Sequence, residues 1–392
     1  MNTAACRMVM RMGRWGLPVL IGLLITGCST PALQSARTDF YSGKFDAAEK
    51  ELNATNTPPR DRVLIMMERG TIRQAMGDYT NSIKDFIQVS DELDQLQTYS
   101  VSKGGASMVI NDNVQDFRGA YFERTLTHTF NAHNHFATAN WDDAAVEARR
   151  IIKSLSPEVK GSYPDDAYSH YVAGFALEMI DDDSNAALEY KKASGLLPTL
   201  EIDGATGHIL AKTMLSTSTN APPAEVAVRP EEKSWPHELV CFVMSGRSPT
   251  GDEVYYNQWW STDYQYAEIV CDGKTLGRSY PLADTGELAF TTQRIDAAFK
   301  AAKTVGRIAL KEAIASSVES SSNDAAGDLT RLILIGLLEQ PDVRRWETLP
   351  RWLQVARVPC PANLKEFDVL FKDANFIIFW IDFGRPLIRK TM

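Results

Sequence analysis

The residues able to act as nucleophiles or metal ligands are few: five cysteines and six histidines in 392 residues. His237 and Cys241 lie four apart in an apolar run that reads as a strand. They share a face but are spread over about 13 Å, too far for a Cys–His nucleophile. His133 and His135 are two apart, about 200° around a helix axis, so they do not share a metal. His128 and His135 share a face across about two turns. All three read as surface or interface histidines. Asp181-Asp182-Asp183 opens like a calcium loop, but Ala186 and Lys192 stand where that loop needs Gly and Glu. The triplet reads instead as a solvated turn between helices. There is no Gly-x-Ser-x-Gly, no His-Glu-x-x-His and no phosphate loop, since Gly204 and Gly207-His208 lack the Lys-Ser/Thr ending. A glycosidase-type carboxylate pair is the one enzymatic arrangement that spacing leaves open. The expectation is a non-enzyme without cofactor or metal. A formal net charge of −9 argues against a nucleic-acid partner.

One cysteine stands apart. Arg7, Arg11 and Arg14 form a basic flank, and an apolar run from Trp15 to Ile25 follows, too short to cross a bilayer. It ends in Ile25-Thr26-Gly27-Cys28, which is similar to a bacterial lipobox. Small residues before the cysteine let a signal peptidase reach the backbone. The Cys28 thiol takes a diacylglycerol, and its freed amino group takes a further acyl chain. Two or three chains anchor stably where one does not. Ser29, rather than Asp, implies the outer membrane, with the protein facing the periplasm. Loss of residues 1–27 removes three arginines and no acid, so −9 becomes −12 on the mature chain. Such a body does not bind anionic headgroups by charge, and the lipid must hold it. Cys241, Cys271 and Cys360 remain. An oxidising compartment permits one disulfide among them, with Cys241 and Cys271 both in strand-like runs, and leaves one thiol over. No pair has zinc-site spacing.

Between the anchor and residue 215 the chain repeats itself. Gly43-Lys44-Phe45-Asp46-Ala47-Ala48 returns as Gly77-Asp78-Tyr79-Thr80-Asn81-Ser82, an offset of 34. Ala139-Asn140-Trp141-Asp142-Asp143-Ala144 is a third copy, and Asp181 to Ala186 a looser fourth. The period and residue types resemble tetratricopeptide (TPR) repeats, whose unit is a helical hairpin. Gly70 and Gly174 hold the position where the first helix must be slim. Phe86, Ala186, Tyr190 and Ala193 hold packing positions of the second helix, and Pro198 closes the fourth unit. The first unit is weaker, with Ala36 and Leu52 there. Units two and three are 62 apart, so residues 91–125 are expected to insert one more hairpin, broken at Gly104-Gly105. Glu147 is expected to pair with Arg150 at the surface, for well under about 1 kcal/mol. The expected domain, residues 28–215, is all-α, with a concave groove for an extended peptide or helix of another envelope protein.

Residues 216–233 read as a linker, polar and proline-bearing. Residues 234–392 read as a smaller α+β domain. Its strands are expected at His237–Met244, at Ala267–Cys271 paired with Thr275–Tyr280 across Asp272-Gly273, and at Leu353–Val358, Glu366–Phe371 and Phe376–Phe383. Its helices are expected at 291–319 and at the apolar Leu329–Leu338.

The run Pro341-Asp342-Val343-Arg344-Arg345-Trp346-Glu347-Thr348-Leu349-Pro350, followed by Gln354-Val355-Ala356-Arg357, carries a wider likeness. With Tyr121-Phe122-Glu123-Arg124 and Val146-Glu147-Ala148-Arg149-Arg150, it resembles a family of bacterial TPR-containing outer-membrane lipoproteins. The likeness covers most of the mature chain and departs after Val240, where Met244-Ser245-Gly246-Arg247 replaces the usual Asn-Gly turn. The family's members often sit beside small lipoproteins linked to penicillin-binding-protein activation. The resemblance therefore implies an interaction scaffold in cell-envelope assembly or maintenance. An Arg beside a Trp stacks by cation–π contact as part of the fold. Exposed, such residues make binding hot spots, and Arg344, Trp346 and Arg357 are the candidates. The second reading is a C-terminal domain that binds or acts on peptidoglycan through aromatic Trp259, Trp260 and Tyr264.

Overall fold

The structure, a computed structural model, describes residues 31–54, 58–102, 116–212, 237–258, 264–299, 342–361, 364, 366–371, 378–383 and 387–388. Residues 1–27, Cys28, the whole of the expected linker 216–233, Trp259, Trp260 and the apolar run 329–338 lie outside the described residues.

Four helical hairpins are built on one repeated turn. They are α1 (Pro31–Tyr41) with α2 (Phe45–Ala54), α3 (Arg62–Ala75) with α4 (Tyr79–Ser102), α5 (Tyr121–Ala137) with α6 (Trp141–Ser154), and α7 (Ala167–Glu178) with α8 (Asp183–Leu196). Each first helix ends at a residue with positive φ: Gly43, Gly77, Ala139 and Asp181. The amide after it reaches back to a carbonyl five residues earlier: Lys44 to Asp39, Asp78 to Arg73, Asn140 to His135 and Asp182 to Leu177, all at 2.8–3.0 Å. This is the Schellman cap, which satisfies the last carbonyls and turns the chain. Glycine is ideal at that position, and Ala139 and Asp181 occupy it at some strain.

The slim positions also hold. A Cβ on Gly70 would lie 2.9 Å from Phe86 Cζ, and one on Gly174 would lie 2.9 Å from Tyr190 Cδ1. Each ring therefore packs flat on helix backbone. Ala36 and Leu52 are buried in the first hairpin as expected. The expected inserted hairpin does not begin at 91, because α4 continues unbroken to Ser102.

Past α8, β1 (Leu200–Ile202) and β2 (Ile209–Ala211) form a small antiparallel pair. Then β3 (His237–Arg247) pairs with β7 (Pro350–Pro359) over most of its length. β6 (Tyr280–Asp284), β9 (Ile378–Phe383) and β10 (Leu387–Ile388) complete an antiparallel sheet. A second sheet runs β5 (Lys274–Arg278), β4 (Ala267–Cys271), β8 (Asp368–Phe371). The β4–β5 turn falls on Asp272-Gly273, both at positive φ, as that dipeptide predicts. The helix expected from 291 starts earlier: α9 is described over 285–299. No described helix is long and apolar enough to cross a membrane.

β3 is buried on both faces, and its alternation assigns each face. Val240, Phe242 and Met244 join Leu353 and Val355 of β7 in one core with the helices. Leu239, Cys241 and Val243 pack with Ala267, Ile269, Ala356 and Val358 in a second, smaller core. The sheet thus lies between the helical array and the β5-β4-β8 sheet. Phe242 inserts among His133, Phe136 and Phe175, with ring centroids 4.6, 5.5 and 5.4 Å away. The two parts read from sequence as separate domains share this core.

Candidate functional site

The expected groove is filled by the chain itself. Residues 342–349 enter the array between α1, α3 and α5, and the array spends buried charge to hold them. Glu68, on α3, accepts the backbone amides of Glu347 and Thr348 at 2.9 and 3.0 Å. The Arg37 side chain donates to Glu68 and to the carbonyl of Arg345. Burial alone would weaken the Arg37 charge, but Glu68 and Glu347 beside it push its pKa up. Glu123 accepts the Trp346 amide at 3.0 Å and caps α5 by accepting the amide of Ala120. The Tyr41 hydroxyl donates to the Glu347 carbonyl.

Two of the three candidate binding residues, Arg344 and Trp346, lie in this seam, and the third, Arg357, is buried on β7 against α7 and β3. Trp346 is 1% exposed; its indole N–H donates to Thr71 at 2.9 Å, and its ring packs on Phe86 and Phe130. Arg344 bridges Asp342 and Asp61 at 2.7 and 2.8 Å and lies over the Phe117 ring. The Arg357 side chain is 0% exposed and pairs with Glu178 at 2.7 Å and Glu238 at 2.6 Å. Burial works against its charge, but the neighbouring Tyr171 and Tyr190 oxygens and Glu178 push its pKa well up. Chemically these are matched, desolvated ion pairs. They fix one arrangement and offer no open valence to an outside ligand. The stacking expected between Arg and Trp is replaced by Arg345 over Phe122 and by Arg344 over Phe117.

A second feature recurs with the hairpins. Eight residues after the positive-φ turn, the second helix carries a buried carboxylate: Asp85, Glu147 and Glu189. Arg69 and Arg73 hold Asp85. His128, Asn131 and Arg150 hold Glu147 at 2.8, 3.0 and 2.8 Å. His170 and Lys192 hold Glu189 at 2.5 and 2.7 Å. His128 and His170 both stand 11 residues before their turns, so the signal was present in the spacing. Glu147 does meet Arg150, but it is buried and triply bound rather than a surface pair. Burial opposes the charge on His170, yet the hydrogen bonds its ring donates to Asp165 and Glu189 raise its pKa to about 9. His133 and His135, expected at the surface or an interface, are buried. Burial lowers His133 to about 3, so it stays neutral, hydrogen-bonded to Tyr168.

Cys241, Cys271 and Cys360 are free and buried, so no disulfide joins them here. Burial pushes Cys241 up to about 12, which makes it inert as a nucleophile. Among the described residues, no group of His, Cys, Asp and Glu is arranged to hold a metal ion.

Among the described residues, two of the clefts away from the seam carry charged or aromatic walls. One, of about 470 Å³, lies where α7 and the end of α8 meet β6 and β7. Tyr264 and Trp352 form its aromatic wall, 5.8 Å apart, and Asp165, Asp284 and Glu287 stand around it. The other, of about 220 Å³, lies between α4, α5 and α6 and is lined by Arg124, Lys153 and Arg150. No family model, curated protein or solved structure matches the chain.

Proposed function

We propose that the protein is a lipid-anchored scaffold on the periplasmic face of the outer membrane, with TPR-like hairpins that hold another envelope protein in envelope assembly or maintenance. The observation that carries this reading is Ile25-Thr26-Gly27-Cys28 behind a basic flank and a short apolar run, joined to an array of helical hairpins. A lipid at Cys28 would hold the array at a membrane surface, and hairpin arrays present extended faces to partners. The concave side is filled by residues 342–349, so the partner is proposed to meet the outer helices. Val146 and Leu188 stand at matching places there, 42% and 50% exposed.

Two experiments test this reading. Acyl labelling of cells is expected to mark the wild type and to miss Cys28→Ser, which should leave the membrane fraction. Crosslinking in intact envelopes is expected to give a partner band that Val146→Glu/Leu188→Glu loses. A band unchanged in that folded double variant contradicts the proposed face.

A second reading, peptidoglycan binding, has one observation in its favour. The cleft with Tyr264 and Trp352 on one wall and carboxylates around it has the make-up of a glycan site, where sugar faces stack on rings and hydroxyls meet acids. Cosedimentation with purified sacculi is expected to fall in Tyr264→Ala if this cleft is used. Equal sedimentation of both proteins contradicts it.

A further inference from the structure

Arg124 has no counter-ion among the described residues. It stands in the first turn of α5, half-buried, with no carboxylate within ion-pair distance among the described residues. Its Nε is sealed from solvent and has no hydrogen-bond partner. It is not loose, however. The guanidinium lies 5.3 Å over the Tyr121 ring, which stacks flat on Tyr163 at 4.8 Å. Tyr163 in turn donates to Asp296 of α9. Aromatic stacking fixes a guanidinium in place without neutralising it. Withdrawing a charge from water without a partner is costly, and elsewhere this chain avoids it by surrounding buried arginines with carboxylates.

The place where Arg124 stands has room and more positive charge. The 220 Å³ cleft is far larger than one water molecule needs. Lys153 lines it with no ion pair among the described residues, and Arg150 lines it with only Glu147 as partner. Ser90 and Thr127 line the same space, as do the apolar Leu93 and Val159. Asp94 also lines the cleft and is itself engaged. Burial pulls the Arg124 pKa below its ordinary value, and the nearby Tyr121, Tyr163, Asp296 and Glu123 restore only part of it. An anion in the cleft would complete the set.

We propose that the cleft between α4, α5 and α6 is an oxyanion site, in which Arg124 and Lys153 bind a carboxylate or phosphate group carried on a small ligand with an apolar portion. The planar fork of Arg124 suits the bidentate geometry of either group. Lys153 supplies a mobile second charge, and Leu93 and Val159 give the ligand's carbon skeleton a surface. The site does not depend on where the protein is anchored or on which partner it holds.

The test is titration of the full-length protein with inorganic phosphate and, separately, with acetate, at constant ionic strength set by chloride. Saturable thermal stabilisation by at least one of them is expected, as for any ligand that binds only the folded state. A response to phosphate alone assigns the site to phosphoryl groups, one to acetate alone to carboxylates, and one to both to either. Arg124→Gln and Lys153→Gln are each expected to weaken that response about tenfold or more. Lys153 is exposed, so its variant folds whatever happens to Arg124→Gln. No saturable response beyond chloride from either anion, or a response unchanged in Lys153→Gln, overturns the proposal.

Discussion

Arg357, on β7 where the sheet meets the helices, and Arg124, in the outer cleft, are both drawn back from water, yet their surroundings are opposite. Arg357 meets Glu178, Glu238 and the Tyr190 hydroxyl with its donors, and its charge is reinforced. Arg124 meets ring faces, keeps a buried Nε without a partner, and its charge is weakened. The difference separates an arginine used to hold the fold from one left with unspent binding capacity. Residue type does not distinguish them; the count of matched acceptors does.

This contrast can be broken or sharpened by substitution. Arg357→Met is expected to cost about 3–5 kcal/mol in urea unfolding, because it strands Glu178 and Glu238 without their cation. Trp346→Ala is expected to cost a similar 3–5 kcal/mol, through the cavity it leaves against Phe86 and Phe130 and the lost bond to Thr71. If either is nearly neutral, that residue's contacts are not part of the folded core. Gly174→Ala is expected to cost about 1–3 kcal/mol, as its methyl drives Tyr190 off the α7 backbone.

His170 gives a dependence on pH. Its folded pKa, about 9, lies above the ordinary 6.5. Its contribution is therefore fully present below pH 6.5 and is lost as pH rises through 9. Wild-type stability is expected to fall across that window, and His170→Gln to flatten the fall. The smallest effect is expected at the outer cleft. Arg124→Met should change stability by no more than about 1 kcal/mol, since it removes a buried charge that has no partner to strand. A loss as large as that of Arg357→Met would place Arg124 among the fold-holding residues.

Local devices were legible in the sequence. The Gly-x-aromatic spacing located the first two hairpins, its Ala139-Asn140-Trp141 variant the third and the looser Asp181–Ala186 turn the fourth, and Gly70 and Gly174 marked where Phe86 and Tyr190 pack. Asp272-Gly273 marked a hairpin turn. These signals were legible because each depends on residues within about 20 of one another. The seam was not. Arg37 meets the Arg345 carbonyl 308 residues away, and Trp346 meets Thr71 across 275. A Trp between arginines and acids reads equally as a surface hot spot or as a buried wedge, and only the matching Glu68 and Glu123 decide. Arg124 was legible as part of a family-like run but not as a cation without a partner. That property depends on the acids of three helices, Asp94, Glu123 and Glu147 among them, all being out of ion-pair reach of Arg124.

The central claim is that the concave side of the array is closed by the chain's own residues 342–349. Hydrogen exchange of the full chain, followed over peptides spanning 344–349, tests it most directly. The amides of Trp346, Glu347 and Thr348 donate to buried Glu123 and Glu68. They are expected to exchange as slowly as the interiors of α7 and β3, opening only with global unfolding. Exchange of these amides within seconds, while α7 and β3 stay protected, would contradict the account and leave the groove open.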